Sequence, residues 1–131
     1  MITDKGKILF TDNELACRHC GVLKLAPGFA DKLKELRLKL GLPMTITSCC
    51  RCPGHNKSVK GSPRSFHLTE NAAYPTGGTC AVDVKRRGAD YDRQLVAVAI
   101  ALGWSVGIAK SFFHLDRRAD YTGLRPALFT Y

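Results

Sequence analysis

Residues 79–116 read "TCAVDVKRRGADYDRQLVAVAIALGWSVGIAKSFFHLD", and the changes of hydrophobic period within this run decide the fold class. "TCAVDVK" alternates as a strand, with Cys80, Val82 and Val84 on one face and Ala81, Asp83 and Lys85 on the other. "DYDRQLVAVAIALG" then reads as a helix, with Asp90 as its N-cap and Gly103 at its end. It is apolar nearly all round from Leu95 to Leu102, which predicts a well-buried helix. "WSVGIA" and "SFFHLD" follow as two strands around a tight connection. The predicted class is α+β, with helices packed on a small, mostly antiparallel sheet.

Upstream, "PGFADKLKELRLKLGLP" carries Phe29, Leu33, Leu36 and Leu40 as one helical stripe, stopped by Gly41 and Pro43. "MTITS" is short and β-branched, a strand ending at Ser48. Residues 49–66 are dense in Pro, Gly, Ser and Asn and read as an irregular loop, while the N-terminus reads as a polar lead. There is no repeat and no long linker. A chain of 131 residues is expected to form a single domain, 1–131, with a core of its own.

No apolar run is long enough to span a membrane. The start, "MITDKGKILFTDNELAC", lacks the basic, apolar and small-residue regions of a secretory signal. The expectation is synthesis in the cytoplasm, with any action elsewhere reached by a non-classical route. The net charge of +9 favours acidic partners, an anionic cell-wall polymer among them. Aromatic residues are not interleaved with the basic ones, which argues against nucleic acid as the partner.

Six cysteines stand at 17, 20, 49, 50, 52 and 80. "CRHC" is a Cys-x-x-Cys pair and "CCRC" adds three thiols, so Cys17, Cys20, Cys50 and Cys52 have the composition of a second, structural metal site. Buried structural thiols are the competing reading. Among four histidines, His67 and His114 lie at the ends of predicted elements, and Asp83 lies on a neighbouring strand. Two imidazoles and a carboxylate would leave a fourth zinc position open. Taken singly, each is a surface or core residue of no special kind.

Three stretches carry a resemblance. "SCCRCPGHN" at 48–56, "SFH" with "AVD" at 65–83, and "FFHLD" at 112–116 resemble, in order, the motifs of the zinc D-alanyl-D-alanine carboxypeptidase and peptidoglycan endopeptidase family. These are the LAS metallopeptidases, akin to the zinc domain of hedgehog proteins, and the long stretch ending in "GTCAVD" resembles that of phage-type members. The resemblance implies a hedgehog/DD-peptidase-like fold, with His67, Asp83 and His114 as ligands of Zn2+ and a zinc-bound water as nucleophile. It implies Arg51 as a catalytic and substrate-binding group, its planar fork suited to carboxylate or carbonyl oxygens. Ser65 becomes a substrate-contacting or positioning hydroxyl, and Asn56 a loop-holding residue. The implied substrate is a peptidoglycan stem peptide, cleaved by a monomer acting as a DD-carboxypeptidase or an endolysin-type endopeptidase, after release at the cell wall.

Two departures from the family pattern stand out. His67 and Asp83 are sixteen positions apart, more than the family's usual spacing, so "TENAAYPTG" (69–77) reads as an insertion, a rim of the substrate cleft. Such a loop costs about a kcal/mol of closure entropy. Many relatives also carry a carboxylate three residues before the last zinc histidine, where Ser111 stands here. Asp116 is then the leading catalytic base, or else a group orienting a ligand, with Glu70 a second candidate base. Loss of the base leaves an alternative from another class: a zinc-stabilised wall-binding or virion structural module, catalytically weak.

Overall fold

The computed structural model describes all residues, 1–131. A hairpin of β1 (Ile2–Asp4) and β2 (Lys7–Phe10) leads into a single turn, α1 (Asp12–Leu15). Thr11 caps that turn and forms a reciprocal capping box with Glu14. The helix α2 (Phe29–Leu40) buries Phe29, Leu33, Leu36 and Leu40, the stripe expected from spacing. Gly41 closes it through an N–H donated to the Arg37 carbonyl. β3 (Ile46–Ser48) follows, then a short helix α3 (Pro53–Ser58).

The second half places β4 (Ala81–Lys85), α4 (Ala89–Ala101), β5 (Ser105–Ile108), β6 (Phe112–Asp116), α5 (Arg118–Tyr121) and β7 (Leu128–Thr130). The main sheet runs β3-β4-β6-β5-β7. All its pairings are antiparallel except β5 with β7. The α+β class with a mostly antiparallel sheet is therefore the observed one. No helix is long and apolar enough to cross a membrane.

Alternation along β4 and β6 separates the two faces of the sheet. Val82, Val84, Phe113 and Leu115 join one buried cluster with Phe29, Leu33 and Leu36 of α2 and Leu95 and Ala99 of α4. Asp83, His114 and Asp116 occupy the opposite face, away from the helices. Direct register pairing sets Asp83 across from His114.

Several local expectations are corrected. The N-cap of α4 is Gly88, and Asp90 lies inside the first turn. No side chain caps it; Asp92 instead ties the preceding turn to the helix, accepting from the Arg87 amide at 2.9 Å and from Arg86 Nε at 3.0 Å. α4 is not buried all round: Ile100 is 51% exposed, and only Leu95 and Ala99 of its apolar residues are fully covered. The stretch 49–66 is not wholly irregular, because Cys52 and Pro53 start α3, with Cys52 Sγ accepting from the His55 amide. The polar lead contains a hairpin, and β7 extends the sheet beyond the expected last strand.

Candidate active site

Each functional side chain is placed by a different piece of backbone. His67 follows a turn in which the Ser65 hydroxyl accepts from its amide at 3.2 Å. A short bridge then ties Arg51 to Leu68: the Arg51 amide donates to the His67 carbonyl at 2.9 Å, and Thr69 donates back to the Arg51 carbonyl at 3.0 Å. The long loop returns to β4 through Gly78, which packs against the backbone of Leu25 and Ala26. A Cβ on Gly78 would lie 2.6 Å from the Leu25 carbonyl carbon, and its φ of +147° suits glycine alone. Thr79 secures the return by donating its hydroxyl to the His67 carbonyl at 2.7 Å.

The three expected ligands converge. His67 Nε2 is 2.9 Å from Asp83 Oδ1. His114 Nδ1 is 3.3 Å from the same oxygen and 3.3 Å from His67 Nε2. The outward ring nitrogens are both engaged: His67 Nδ1 with the Cys49 carbonyl at 2.8 Å, and His114 Nε2 with Asp116 Oδ2 at 2.7 Å. In each pair the ring N–H donates outward, so with both rings neutral His67 Nε2 and His114 Nδ1 present lone pairs inward, and a proton on either one would be donated to Asp83. Two imidazole lone pairs and a carboxylate oxygen then face one another at contact distance. Three acceptors so placed repel unless a cation sits among them, and this donor set fits zinc.

Electrostatics follow from the same contacts. Burial alone would raise the Asp83 carboxyl, but the charge and hydrogen bonds of His67 and His114 hold it well below the usual carboxylate range. Burial lowers His67, and Asp83 only partly offsets it. His114 is likewise penalised by burial, yet the bonds to Asp116 and Asp83 raise it overall.

Asp116 does not fit the role of proton acceptor. It has no solvent exposure, and its oxygens take the His114 ring, Arg118 Nε, Arg118 Nη2 and the Arg118 amide. Burial would raise its carboxyl, but the bonds from His114 and Arg118 bring it to about 2, too acidic to take a proton well. Its place is behind the His114 ring, on the side away from the three converging atoms. Glu70 fares no better, since it pairs with Lys24 at 2.6 Å on the exposed surface.

Arg51 is held by three bonds, Nε to Ser48 Oγ at 3.0 Å, Nη1 to Asn56 Oδ1 at 3.3 Å and Nη2 to Asp83 Oδ2 at 3.2 Å. A guanidinium has five donors, so two stay free. Asn56 bonds the Ser62 carbonyl at 2.9 Å, tying down the loop as expected. Gly61 leaves room for the Asn56 amide: a Cβ there would lie 2.1 Å from Asn56 Oδ1, and that side chain would have to shift.

The triad opens into a cavity of about 570 Å³, whose wall includes Arg51, Ser65, Tyr74, Phe112, Phe129 and Tyr131. Of the inserted stretch 69–77, only Tyr74 reaches this wall, stacked on Phe66 at 5.3 Å between ring centroids. Phe129 and Tyr131 come from β7 and the residue after it, and nothing in their local pattern foretold a cavity. Asp83 is the sole carboxylate on the wall.

The cysteines divide differently from expectation. Cys17, Cys20 and Cys52 bring their sulfurs within 4.8 Å of one another. Cys50 is not with them: it is buried, with its Sγ directed to the Lys24 carbonyl at 3.7 Å. Residues two apart on an extended backbone point the same way, so Cys50 and Cys52 part company because the chain turns into α3 at Cys52. All six cysteines are free thiols.

No curated protein and no solved structure matches the chain significantly. The family model described as Peptidase M15 matches residues 9–116, from β2 through the end of β6. That span takes in Arg51, His67, Asp83 and His114 together with the strands that hold them, and on this match the chain belongs to the peptidase M15 family.

Proposed function

We propose that this chain is a zinc-dependent hydrolase of peptide bonds in peptidoglycan stem peptides, acting as a single 131-residue domain. One observation carries the reading: two oriented imidazoles and one carboxylate converge on the floor of a cavity large enough for a short peptide. His67 Nε2, Asp83 Oδ1 and His114 Nδ1 would hold the ion. When bound, zinc supplies Lewis acidity and lowers the pKa of a water towards about 7.

The chain's own residues supply orientation and charge. The Cys49 carbonyl and Asp116 fix the two imidazole tautomers, and Arg118 keeps Asp116 ionised. Arg51 steadies the distal oxygen of Asp83 and has two donors left for a substrate carboxylate or a developing oxyanion. Ser65 shapes the His67 turn and borders the peptide's path. Phe66, Tyr74, Phe112 and Phe129 narrow the cavity and displace water from around the scissile bond. A surface of net charge +9 suits an anionic wall polymer. Both carboxypeptidase and endopeptidase action are compatible with this cavity.

A wall-binding module is the second reading, and it too has an observation in its favour. Apart from Asp83, no carboxylate lines the cavity to accept a proton. Incubating zinc-loaded protein with muropeptides and resolving the products by mass spectrometry separates the two. Released D-alanine or cleaved cross-links support the hydrolase. Tight muropeptide binding without any product, with zinc confirmed in the protein, would point to the module.

A further inference from the structure

We propose that Cys17, Cys20 and Cys52, closed by His19, form a second metal centre that staples the N-terminal segment to the arginine-bearing loop. The centre lies in a different part of the chain from the His67–Asp83–His114 triad and uses none of its residues. Cys17 and Cys20 sit on a tight turn in which the Cys17 amide donates to the Val22 carbonyl at 2.8 Å and Gly21 donates back to Cys17 at 2.9 Å. Cys52 comes from 35 positions beyond Cys17, at the N-cap of α3. The three sulfurs lie within 4.8 Å of one another. A tetrahedral zinc thiolate site with bonds of about 2.3 Å needs its sulfurs about 3.8 Å apart, so a small inward movement completes the set.

The surroundings are those of thiolates. The Cys52 amide points at Cys17 Sγ at 3.4 Å, and the His55 amide points at Cys52 Sγ at 3.3 Å. Such N–H groups stabilise sulfur-borne negative charge and are the usual outer support of a metal thiolate. Three thiolates collected without a cation would repel, and no cysteine here is spent on a disulfide. His19 Nδ1 lies 3.5 Å from Cys52 Sγ but beyond 4.8 Å from at least one of the other two sulfurs, so a turn of this ring on the Cys17–Cys20 loop is needed to bring it in as the fourth ligand. Its ring is backed by His55, whose ring lies nearly parallel with the centroids 6.1 Å apart. Sulfur-rich sets with one imidazole, in tetrahedral array, belong to zinc in closed, structural sites.

The role follows from position. Cys52 adjoins Arg51, and the Cys50 amide already donates to the Leu15 carbonyl at 3.0 Å. An ion bridging Cys52 to the Cys17–Cys20 turn would clamp the loop that presents Arg51 to the cavity. Because the unfolded chain has no preformed site, binding there adds directly to folding stability.

Cobalt substitution tests this on the intact protein. The triad contains no sulfur, so thiolate-to-cobalt charge-transfer absorption reports the cysteine centre alone. Expected is a two-metal protein showing that absorption, falling to one metal without it in Cys20→Ser, with a lower melting temperature. His67→Ala should keep the absorption and one metal, and Cys50→Ser should keep both metals. Wild-type protein that binds cobalt without thiolate absorption, or whose Cys17, Cys20 and Cys52 alkylate freely in saturating zinc, would overturn the centre. Release of the metal by His55→Ala but not by His19→Ala would overturn the choice of fourth ligand.

Discussion

Arg51 and Asp83 are joined through the carboxylate oxygen that the histidines do not use: Arg51 Nη2 stands 3.2 Å from Oδ2, while Oδ1 is shared by His67 and His114. The arginine thus decides which oxygen of Asp83 faces inward, and it also lines the cavity wall. Arg51→Lys keeps a positive charge but loses the planar fork. Zinc affinity is expected to fall about 10–100-fold. The specificity constant for a stem peptide should fall by about 10²–10³ from lost oxyanion or carboxylate contacts. Competition against a chelator of known affinity, run beside steady-state kinetics, separates the two effects. An unchanged affinity would remove Arg51 from the ligand scaffold.

Asp116→Asn discriminates an orienting group from a proton acceptor. The amide can no longer hold the His114 ring as an anion does, so zinc should bind about 10–100-fold more weakly. Once zinc is saturating, turnover should drop by less than the factor of about 10²–10⁴ that a general base supplies. A larger fall at full zinc occupancy would restore Asp116 to the chemistry.

Gly61→Ala introduces a methyl 2.1 Å from Asn56 Oδ1 and 3.1 Å from Arg51 Nη1. One of these side chains has to move. A destabilisation of about 1–3 kcal/mol is expected, measured by urea unfolding, with weaker stem-peptide binding alongside it. Wild-type stability in this variant would show that the 59–65 loop yields freely.

Cys80 gives a pH signature unrelated to metal. Burial, with the charge of Asp116 adding to it, pushes its thiol up to about 12. An unfolded thiol ionises near about 8.5. The folded state therefore holds the proton longer, and this contribution is whole below about pH 8.5 and lost as pH rises towards 12. Denaturation curves at pH 7.5 and pH 10 should show the decline, and Cys80→Ala should flatten it. The buried thiol should also resist iodoacetamide at pH 8 until the protein unfolds.

Legibility in the sequence followed length and periodicity. The stripe of α2 and the alternation of β4 and β6 were readable because burial on one face imposes a strong local pattern. α1, α3 and the hairpin β1–β2 are short, and caps and tertiary contacts hold them more than any period does. β7 was hidden for the same reason: it has three residues, is half exposed, and gains its partner only by returning to β5 in parallel.

For the site, the amino-acid sequence by itself determined which residues are chemically able to hold a metal and where on strand faces they stand. His67, Asp83 and His114 are the right types, and period two sends Asp83 and His114 to the faces opposite Val82 and Leu115. Only the tertiary structure decided how these groups are used. Pairing register set Asp83 against His114, and packing placed Asp116 behind the imidazole in a buried ion pair with Arg118. The turn at Cys52 exchanged Cys50 for the neighbourhood of His19. Residue type and face are local properties of the chain, whereas register, solvent exclusion and the partner of each polar atom exist only after distant segments have packed.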